Sequence, residues 1–397
     1  MRKIGLDERR ARLGVRHHLS ARAEGVESAV DGVVALHATD PATVHLAVQA
    51  RTGLAGVADV ERALYDQRTL LRMLGMRRTM FVVGAEVAPV IQAACSADIA
   101  KKQRRLLVQH LGQQGYPENV PNPDRWLADV EASTAKALAA RGAATAQQLS
   151  EDEPRLKQQL LMAKGKPYEA IGNVTSRVLF QLAVDGRIVR GRPRGSWISS
   201  QYYWATVEDW LPDGMPEWTA EAARAELARR WLHSYGPAPV ADLRWWTGWT
   251  AGQTKKALAG IAPVEVDLDA FGSGSSTGLV LPDDLDPVPA PAPWVALLPA
   301  LDPTSMGWVE RDWYLGEHRA ALFDGTGNIG PTLWSDGRIV GAWAQRPDGE
   351  VAFRLLEDVG AEVEAAIEVE TGRLSEWLGD VRVTPRFRTP LERELST

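Results

Sequence analysis

Three side chains that could do chemistry lie close together near the N-terminus, in residues 36–41. The order is Leu-His-Ala-Thr-Asp-Pro, so that His37, Thr39 and Asp40 bring an imidazole, a hydroxyl and a carboxylate into one short segment. Such groups can hold a water molecule and accept its proton. The segment therefore predicts a small polar site at the beginning of a helix.

The same residues also have a purely structural interpretation. Asp is a preferred N-cap and Pro suits the first turn of a helix, so that Asp40 and Pro41 would begin a helix over 41–51 without any chemistry. His37 follows the apolar residues 33–36, and a histidine in such a place is more often a hydrogen-bonded core residue than a catalyst. The motif alone leaves both interpretations open.

The hydrophobic pattern around the motif predicts helices that end in short strands. We expect helices over 7–13, 25–36, 41–51, 57–67 and 84–114, and a strand over 76–83 that carries Arg77 and Arg78. Helices followed by a basic strand pair are the pattern of a winged helix, although hydrophobic alternation alone does not establish one. The last of these helices is basic at 101–105, which fits a solvated face as well as a DNA contact.

A second unit ends in an arginine-rich hairpin. We expect helices over 123–141, 144–150 and from Asn173 or Thr175 to Val184, and then two strands joined by a turn over 187–204. The turn carries Arg190, Arg192 and Arg194 among glycines and a proline. Because guanidinium forks match phosphate oxygens, the pattern favours a wing that contacts DNA phosphates over a solvated loop.

A third unit and a different C-terminal region complete the chain. Helices over 219–234, 240–247 and 250–258 give a helix-turn-helix pattern, a Gly/Ser-rich loop follows at 271–277, and a proline-rich linker occupies 288–293. Strand-like runs lie at 294–298, 328–334, 338–343, 351–355 and 381–387, with a helix over 361–378. We predict an α+β fold with three helical winged units, 1–115, 116–212 and 213–286, and a small β-rich, barrel-like domain over 287–397.

Composition excludes several classes of protein. No apolar run is long enough to cross a membrane, and the N-terminus lacks the apolar core of a signal peptide. One cysteine excludes an internal disulfide framework, and scattered histidines without HExxH or CxxC make a metal site unexpected. The net charge of −6 argues against a uniformly basic nucleic-acid binder but allows a local basic patch. We expect a cytoplasmic protein.

The quoted residues resemble the winged-helix DNA glycosylases of the AlkZ/YcaQ type, over nearly the whole chain. The stretches that carry the resemblance are VALHATDP from residue 34, LGMRRT from 74, RGRPRGSW from 190 and LLPALDP from 297. The resemblance implies three tandem winged helices and a β-rich domain in a C-shape around duplex DNA. It implies a monomer, without metal or cofactor, that removes bulky N7-alkylated purines and can unhook interstrand crosslinks, for alkylation repair or antibiotic self-resistance in a bacterium.

The resemblance also implies where DNA would be held. The contacts expected on the two basic segments are Arg77, Arg78, Arg187, Arg190, Arg192, Arg194, Ser196 and Trp197. The partner would be double-stranded DNA that carries alkylated purines.

The chain departs from this family in the catalytic motif. The family's signature is a glutamine, an aliphatic residue and then a glutamine or aspartate, whereas the matching positions here are His37, Ala38 and Thr39. Either a histidine-type branch uses His37 with Thr39 or Asp40, or the activity has been lost. We favour the first, because a lost site usually retains no set of three polar groups.

The chemistry expected of such a site is modest. An N7-alkylated guanine already carries positive charge and leaves without protonation, so the enzyme must place a water behind the sugar C1′ and stabilise the positive sugar. Asp40 is the predicted base and counter-charge, His37 accepts the water proton or orients the water, and Thr39 holds the same water. The alternatives are a non-catalytic DNA-binding protein, as a regulator or to sequester lesions, and a scaffold whose wings bind protein.

Overall fold

The computed structural model describes residues 1–269 and 275–397 of the chain. Helices and five small sheets alternate through these residues, which confirms the mixed α+β class. The predicted Gly/Ser-rich loop at 271–277 falls partly outside the described residues, and its last three residues begin a strand.

The N-terminal region positions the polar motif. Its elements are β1 (Arg2–Ile4), α1 (Leu6–Arg16), α2 (Val26–Asp31), β2 (Leu36–His37), α3 (Pro41–Thr52), α4 (Val57–Glu61), β3 (Leu70–Leu74), β4 (Met80–Gly84), α5 (Ala88–Ile91) and α6 (Ala97–Gln113). The prediction of one helix over 25–36 is wrong. The helix ends at Asp31, Val34 takes a left-handed conformation, and the chain then joins a sheet through β2.

The second unit follows the predicted order. Its elements are β5 (Gly115–Tyr116), α7 (Pro123–Arg141), α8 (Ala146–Asp152), β6 (Gln159–Met162), β7 (Ala170–Asn173), α9 (Thr175–Val184), β8 (Ile188–Pro193), β9 (Tyr202–Thr206) and α10 (Val207–Trp210). The third unit contains α11 (Ala220–Tyr235), α12 (Val240–Thr247), α13 (Ala251–Ile261), β10 (Val264–Asp269) and β11 (Ser275–Val280).

The same order of elements recurs in all three units. Each has a helix, a short extended segment, two further helices and an antiparallel hairpin. The short segment pairs with the second strand of the hairpin in every case: β2 with β4, Ala144 with Trp204, and Ala238 with Leu279. The second unit differs by carrying the extra sheet β5–β6–β7.

The C-terminal region is less β-rich than predicted. It contains β12 (Val295–Leu298), α14 (Pro303–Met306), α15 (Asp312–Leu315), α16 (Arg319–Leu322), β13 (Thr332–Ser335), β14 (Arg338–Gln345), β15 (Val351–Leu355), α17 (Ala361–Leu378) and α18 (Pro390–Leu395). Its four strands form an open antiparallel meander in sequence order, with α17 packed on β12, rather than a closed barrel.

The strand predicted over 381–387 is wrong. The Gln345 side chain takes the hydrogen bonds that a strand ladder would have used, because its amide donates to the Val381 carbonyl at 3.0 Å and its oxygen accepts from the Val383 N–H at 2.8 Å. The segment is therefore an irregular extended chain that runs back toward the N-terminal region.

Packing joins regions that are distant in sequence. One hydrophobic core contains Leu13 and Met73 from the N-terminal region, Leu227 from α11, and Leu298 and Trp334 from the C-terminal sheet. The strand β1 leaves its own unit and pairs in parallel with β10. The polar motif is thus attached to the last third of the chain, not only to its own unit.

A buried ion pair fixes α3 against the C-terminal region. The two terminal nitrogens of the Arg51 guanidinium, Nη2 and Nη1, donate to the two carboxylate oxygens of Asp302 at 2.8 and 2.9 Å. Both side chains have 0% exposure. Arg51 also donates to the Thr304 hydroxyl and the Ala47 carbonyl. Since α3 begins at Asp40, this pair sets where the motif lies relative to the C-terminal chain.

Removal of one partner of this pair should be costly. We expect Asp302→Ala to lower the free energy of unfolding by about 3–5 kcal/mol, because Arg51 would be left buried without its counter-charge. Urea unfolding of the purified variant measures the effect. Asp283→Ala, at an exposed position, removes the same group and should change stability by less than about 0.5 kcal/mol. Equal effects of the two substitutions would contradict the role of the pair.

Candidate functional site

His37 reaches solvent from an otherwise apolar setting. It lies opposite Phe81 in the β2–β4 pair, with the ring centroids 5.7 Å apart. Its Nδ1 lies 3.5 Å from the Thr39 N–H, at the long limit of a hydrogen bond. Burial, and secondly the charge of Arg77, lower the pKa of His37 to about 3. Among the described residues Nε2 has no protein partner, yet it is not sealed from solvent.

Asp40 caps α3 and also holds the C-terminal chain. One carboxylate oxygen accepts from the Ala42 N–H at 3.1 Å, and the other accepts from the Arg386 N–H at 2.9 Å. Burial raises the pKa of Asp40, and these two N–H groups oppose the rise. The carboxylate lines a cavity of about 10 Å³ beside Trp343 and Gln345, the size of site that a single water occupies.

A second histidine, His45, lies on α3 and belongs to the core. His45 is buried with its ring 4.9 Å from that of Trp197, and neither ring nitrogen has a well-formed hydrogen bond in the described part of the chain. Burial, and then the charge of Arg72, lower the pKa of His45 to about 3, against a smaller opposing effect of the Pro41 carbonyl. Trp197 also packs edge-on against Trp377. The ring of Trp197, one of the predicted DNA contacts, is therefore buried between these neighbours.

The hairpin arginines have three different environments. Arg190 lies 5.3 and 5.2 Å above the rings of Tyr202 and Trp204. Arg192 is paired with Glu61 at 3.0 Å and Asp66 at 2.7 Å, so its charge is already balanced. The remaining predicted contacts of this segment are exposed, namely Arg187, Arg194 and Ser196.

The first basic segment is a tight turn rather than a strand. Arg77 and Arg78 have left-handed backbone angles, with φ of 54° and 61°. Their guanidinium groups lie 3.9 Å above Trp245 and 5.2 Å above Phe180, respectively. Gly248 packs closely against the same turn, since a Cβ at this position would lie 3.0 Å from the Arg77 side chain. Its φ of +74° also favours glycine. The turn thus brings the first unit against the second and third.

Four arginines surround the motif without an acidic partner. Within the described ranges, none of Arg72, Arg77, Arg190 and Arg386 forms an ion pair. The nearest polar contacts are with main-chain oxygens: Arg72 donates to the Ala38 carbonyl and Arg386 to the Thr39 carbonyl, each at 3.4 Å. Arg72 is buried, Arg77 and Arg190 are half-buried and Arg386 is exposed, and cations that lack counter-charges in the described residues are available to bind an anion.

A basic groove continues from these arginines. It consists of three adjoining clefts of about 400, 460 and 710 Å³. Ser176 and Phe180 line both the first and the second cleft, and Arg78 lines both the second and the third. The acid that lines it, Asp98, is neutralised by Arg224 at 2.8 Å. The cations that line it are Arg77, Arg78, Lys101, Lys102, Arg105, Arg177, Arg190 and Arg194.

Sequence reasoning missed two of the four arginines. Arg72 had a usable signal, since it is a charge in the middle of the apolar strand β3. Arg386 had none, because its position beside Asp40 depends on a contact across more than 340 residues.

In residues 1–269 and 275–397, no three His, Cys, Asp or Glu side chains come together as metal ligands. No helix in those ranges has the length and apolar character needed to span a membrane.

The site thus combines a polar motif with arginines that form no ion pair in the described residues, and two of these arginines, Arg77 and Arg190, also line the basic groove. A family model described as "DNA glycosylase AlkZ-like" matches residues 30–377. The chain belongs to the AlkZ-like DNA glycosylase family, as the resemblance predicted.

The chain is also similar to one relative in sequence and to one solved structure in fold. The chain is 26% identical over 219 residues to the interstrand DNA cross-link repair glycosylase of Streptomyces sahachiroi, an alignment that spans 53% of this chain and 57% of the relative. The solved structure of the S. sahachiroi DNA glycosylase AlkZ is similar over 97% of this chain and 99% of that chain, with a TM-score of 0.71 and 20% identity. That likeness shows a shared fold.

The buried His45 is one of the histidines that make stability depend on pH. As the pH falls, His45 takes up a proton in the unfolded chain near pH 6.5, its ordinary pKa, but in the folded protein only near its lowered pKa of about 3. The free energy of unfolding is therefore highest above pH 6.5 and decreases as the pH falls from 6.5 toward 3. Between pH 7 and 5 this histidine should cost about 2 kcal/mol. We expect His45→Leu to remove that loss in urea unfolding, and His233→Leu, at an exposed position, to retain it. An unchanged pH dependence in His45→Leu would contradict the assignment.

Proposed function

We propose that the protein is a monofunctional DNA glycosylase that excises bulky N7-alkylated guanine, including adducts that crosslink the two strands. The observation that carries the proposal is the group of four unpaired arginines around His37, Thr39 and Asp40. The basic groove supports a long polyanion as the ligand, and duplex DNA is the polyanion that family membership suggests.

Each of the three units is interpreted as a winged helix. The shared order of helix, short strand, two helices and hairpin supports this interpretation, as does the pairing of the short strand with the hairpin. The hairpin β8–β9 would be the wing of the second unit, with Arg190 and Arg194 at the duplex. A C-shape closed around DNA would place the groove along the backbone.

The unpaired arginines would bind phosphates rather than the damaged base. An N7-alkylated guanine is itself a cation and would be repelled by Arg72, Arg77, Arg190 and Arg386. Phosphate oxygens are negatively charged and are attracted to the same arginines. Bidentate contacts between a guanidinium and a phosphate are also among the strong hydrogen bonds. Binding of the backbone would therefore neutralise the site before the cationic base enters it.

His37 would orient the attacking water in its neutral form. With a pKa of about 3, the imidazole is uncharged at neutral pH and is a weak base. If Nδ1 accepts from the Thr39 N–H, Nε2 carries the proton and faces solvent, where it can hold a water oxygen. Thr39 lies next to it and would contact the same water.

Asp40 would accept the proton and offset the charge of the sugar. It is the one anion in the motif, and its raised pKa makes it a better base than His37. In the reaction the water oxygen bonds to C1′ and the C1′–N9 bond breaks with its electron pair passing to the base. The alkylated guanine leaves neutral, and the water proton passes to Asp40.

A specific observation favours a second candidate, a non-catalytic DNA-binding protein. Both carboxylate oxygens of Asp40 already hold backbone N–H groups, which is what a purely structural cap would do. Under this alternative the arginines would bind damaged or undamaged DNA and no bond would be broken. Base release separates the two candidates.

The test is single-turnover base release from a duplex that carries one N7-alkylguanine. We expect release by the wild type, and a rate lower by about 100-fold or more in His37→Ala, since a preorganised hydrogen-bond donor is lost. His37→Gln places the family's own residue at this position and should retain most of the rate. Asp40→Asn should lose release while it retains DNA binding.

Melting temperatures and binding decide what a negative result means. Tight binding without release of a small or a bulky adduct by the wild type would favour the non-catalytic candidate. Parallel loss of melting temperature and release in His37→Ala and Asp40→Asn would mean that these residues are only structural.

The pH dependence of release tests which group is the base. Because burial raises the pKa of Asp40 above its usual value near 3.8, the rate should fall on the acid side as this carboxylate takes up a proton. The acid limb should be the same in His37→Gln, since burial lowers the pKa of His37 to about 3, below that of Asp40. Disappearance of the limb in that variant would identify His37 as the base instead.

A further inference from the structure

The C-terminal chain contributes to the motif through one residue. The main-chain N–H of Arg386 donates to Asp40 at 2.9 Å, and its guanidinium lies 3.4 Å from the Thr39 carbonyl. Two of the three motif residues are therefore contacted by a segment that follows the last strand, β15. The segment itself is fixed by the Gln345 side chain rather than by a sheet.

The guanidinium of Arg386 differs from its neighbours in the same segment. Arg388 is paired with Glu392 at 2.7 Å, and Arg382 donates to the carbonyls of Pro347 and Gly379. Arg386 is exposed and has no acidic partner in the part of the chain that the structure describes. Its cation is thus free to bind an anion in front of the motif.

A second unpaired cation lies near it. The charge of Arg386 contributes to lowering the pKa of Arg190, after burial and Arg72, so that the two guanidinium groups repel each other. Repulsion between two cations that lack acidic partners is relieved when one anion lies between them. The cleft of about 400 Å³ that Arg190, Arg194 and Tyr202 line is large enough to admit a phosphate beside Arg190.

We propose that Arg386 is a positioning residue whose guanidinium binds a phosphate of the lesion-bearing strand in front of the motif, while its main-chain N–H orients Asp40. This inference rests on the proposed function for the nature of the strand. DNA binding would then also position the motif. A phosphate that binds the Arg386 guanidinium restrains the whole residue, and with it the main-chain N–H that donates to Asp40.

The side chain can be tested without the main-chain contact, since every substitution except proline retains the N–H. The variants are Arg386→Gln and Arg386→Lys, and the matched control is Arg393→Gln, an exposed arginine on α18 without an ion pair in the described residues. Two quantities are measured: the affinity for an undamaged duplex as a function of salt, and the single-turnover rate of base release at saturating enzyme.

For Arg386→Gln we expect the slope of log affinity against log salt to become shallower by about 0.9, the value of one phosphate contact. The rate of release at saturation should fall by about tenfold, because the strand is no longer held in register. Arg386→Lys should restore the slope, since lysine still binds phosphate as a point charge, but only part of the rate. Arg393→Gln should resemble the wild type.

An unchanged salt slope in Arg386→Gln would overturn the proposal. So would a fall in melting temperature with a loss of rate that Arg386→Lys does not rescue, since that pattern means a structural role only. Absence of base release in the wild type, with the slope changed as expected, would instead defeat the glycosylase function and retain the phosphate contact.

Discussion

The buried pair of Arg51 and Asp302 is the constraint on which the site depends. Two charges without solvent exposure are stable only when they are closely paired, and here the two terminal nitrogens of Arg51 donate to the two carboxylate oxygens of Asp302. The pair connects α3 with the loop after β12, and Asp40 stands at the opposite end of α3. The pair therefore helps to set where Asp40 lies, while the Gln345 side chain fixes the segment that brings Arg386 to it.

Local chemistry made much of the first half of the site predictable. Asp40 followed by Pro41 predicted the beginning of α3, and glycine-rich turns predicted the hairpin β8–β9 and its arginines. The wrong predictions arose where tertiary contacts decide. Residues 36–37 pair with β4 instead of continuing a helix, and residues 381–387 give their hydrogen bonds to Gln345 instead of a neighbouring strand.

Two histidines of the same short region show why sequence could not assign the site. His37 and His45 both follow or lie among apolar residues, and burial lowers both pKa values to about 3. They differ in one respect, since a nitrogen of His37 reaches solvent whereas both nitrogens of His45 are enclosed against Trp197. That difference is created by β4 on one side and by the hairpin loop and α17 on the other, none of which adjoins the motif in sequence.

The strand β1 pairs with β10, some 260 residues away, and Arg386 reaches Asp40 from near the last residues of the chain. A chain that emerges from the ribosome N-terminus first therefore carries His37, Thr39 and Asp40 long before it carries their partners. A truncated product would retain the basic hairpins and yet lack the assembled centre.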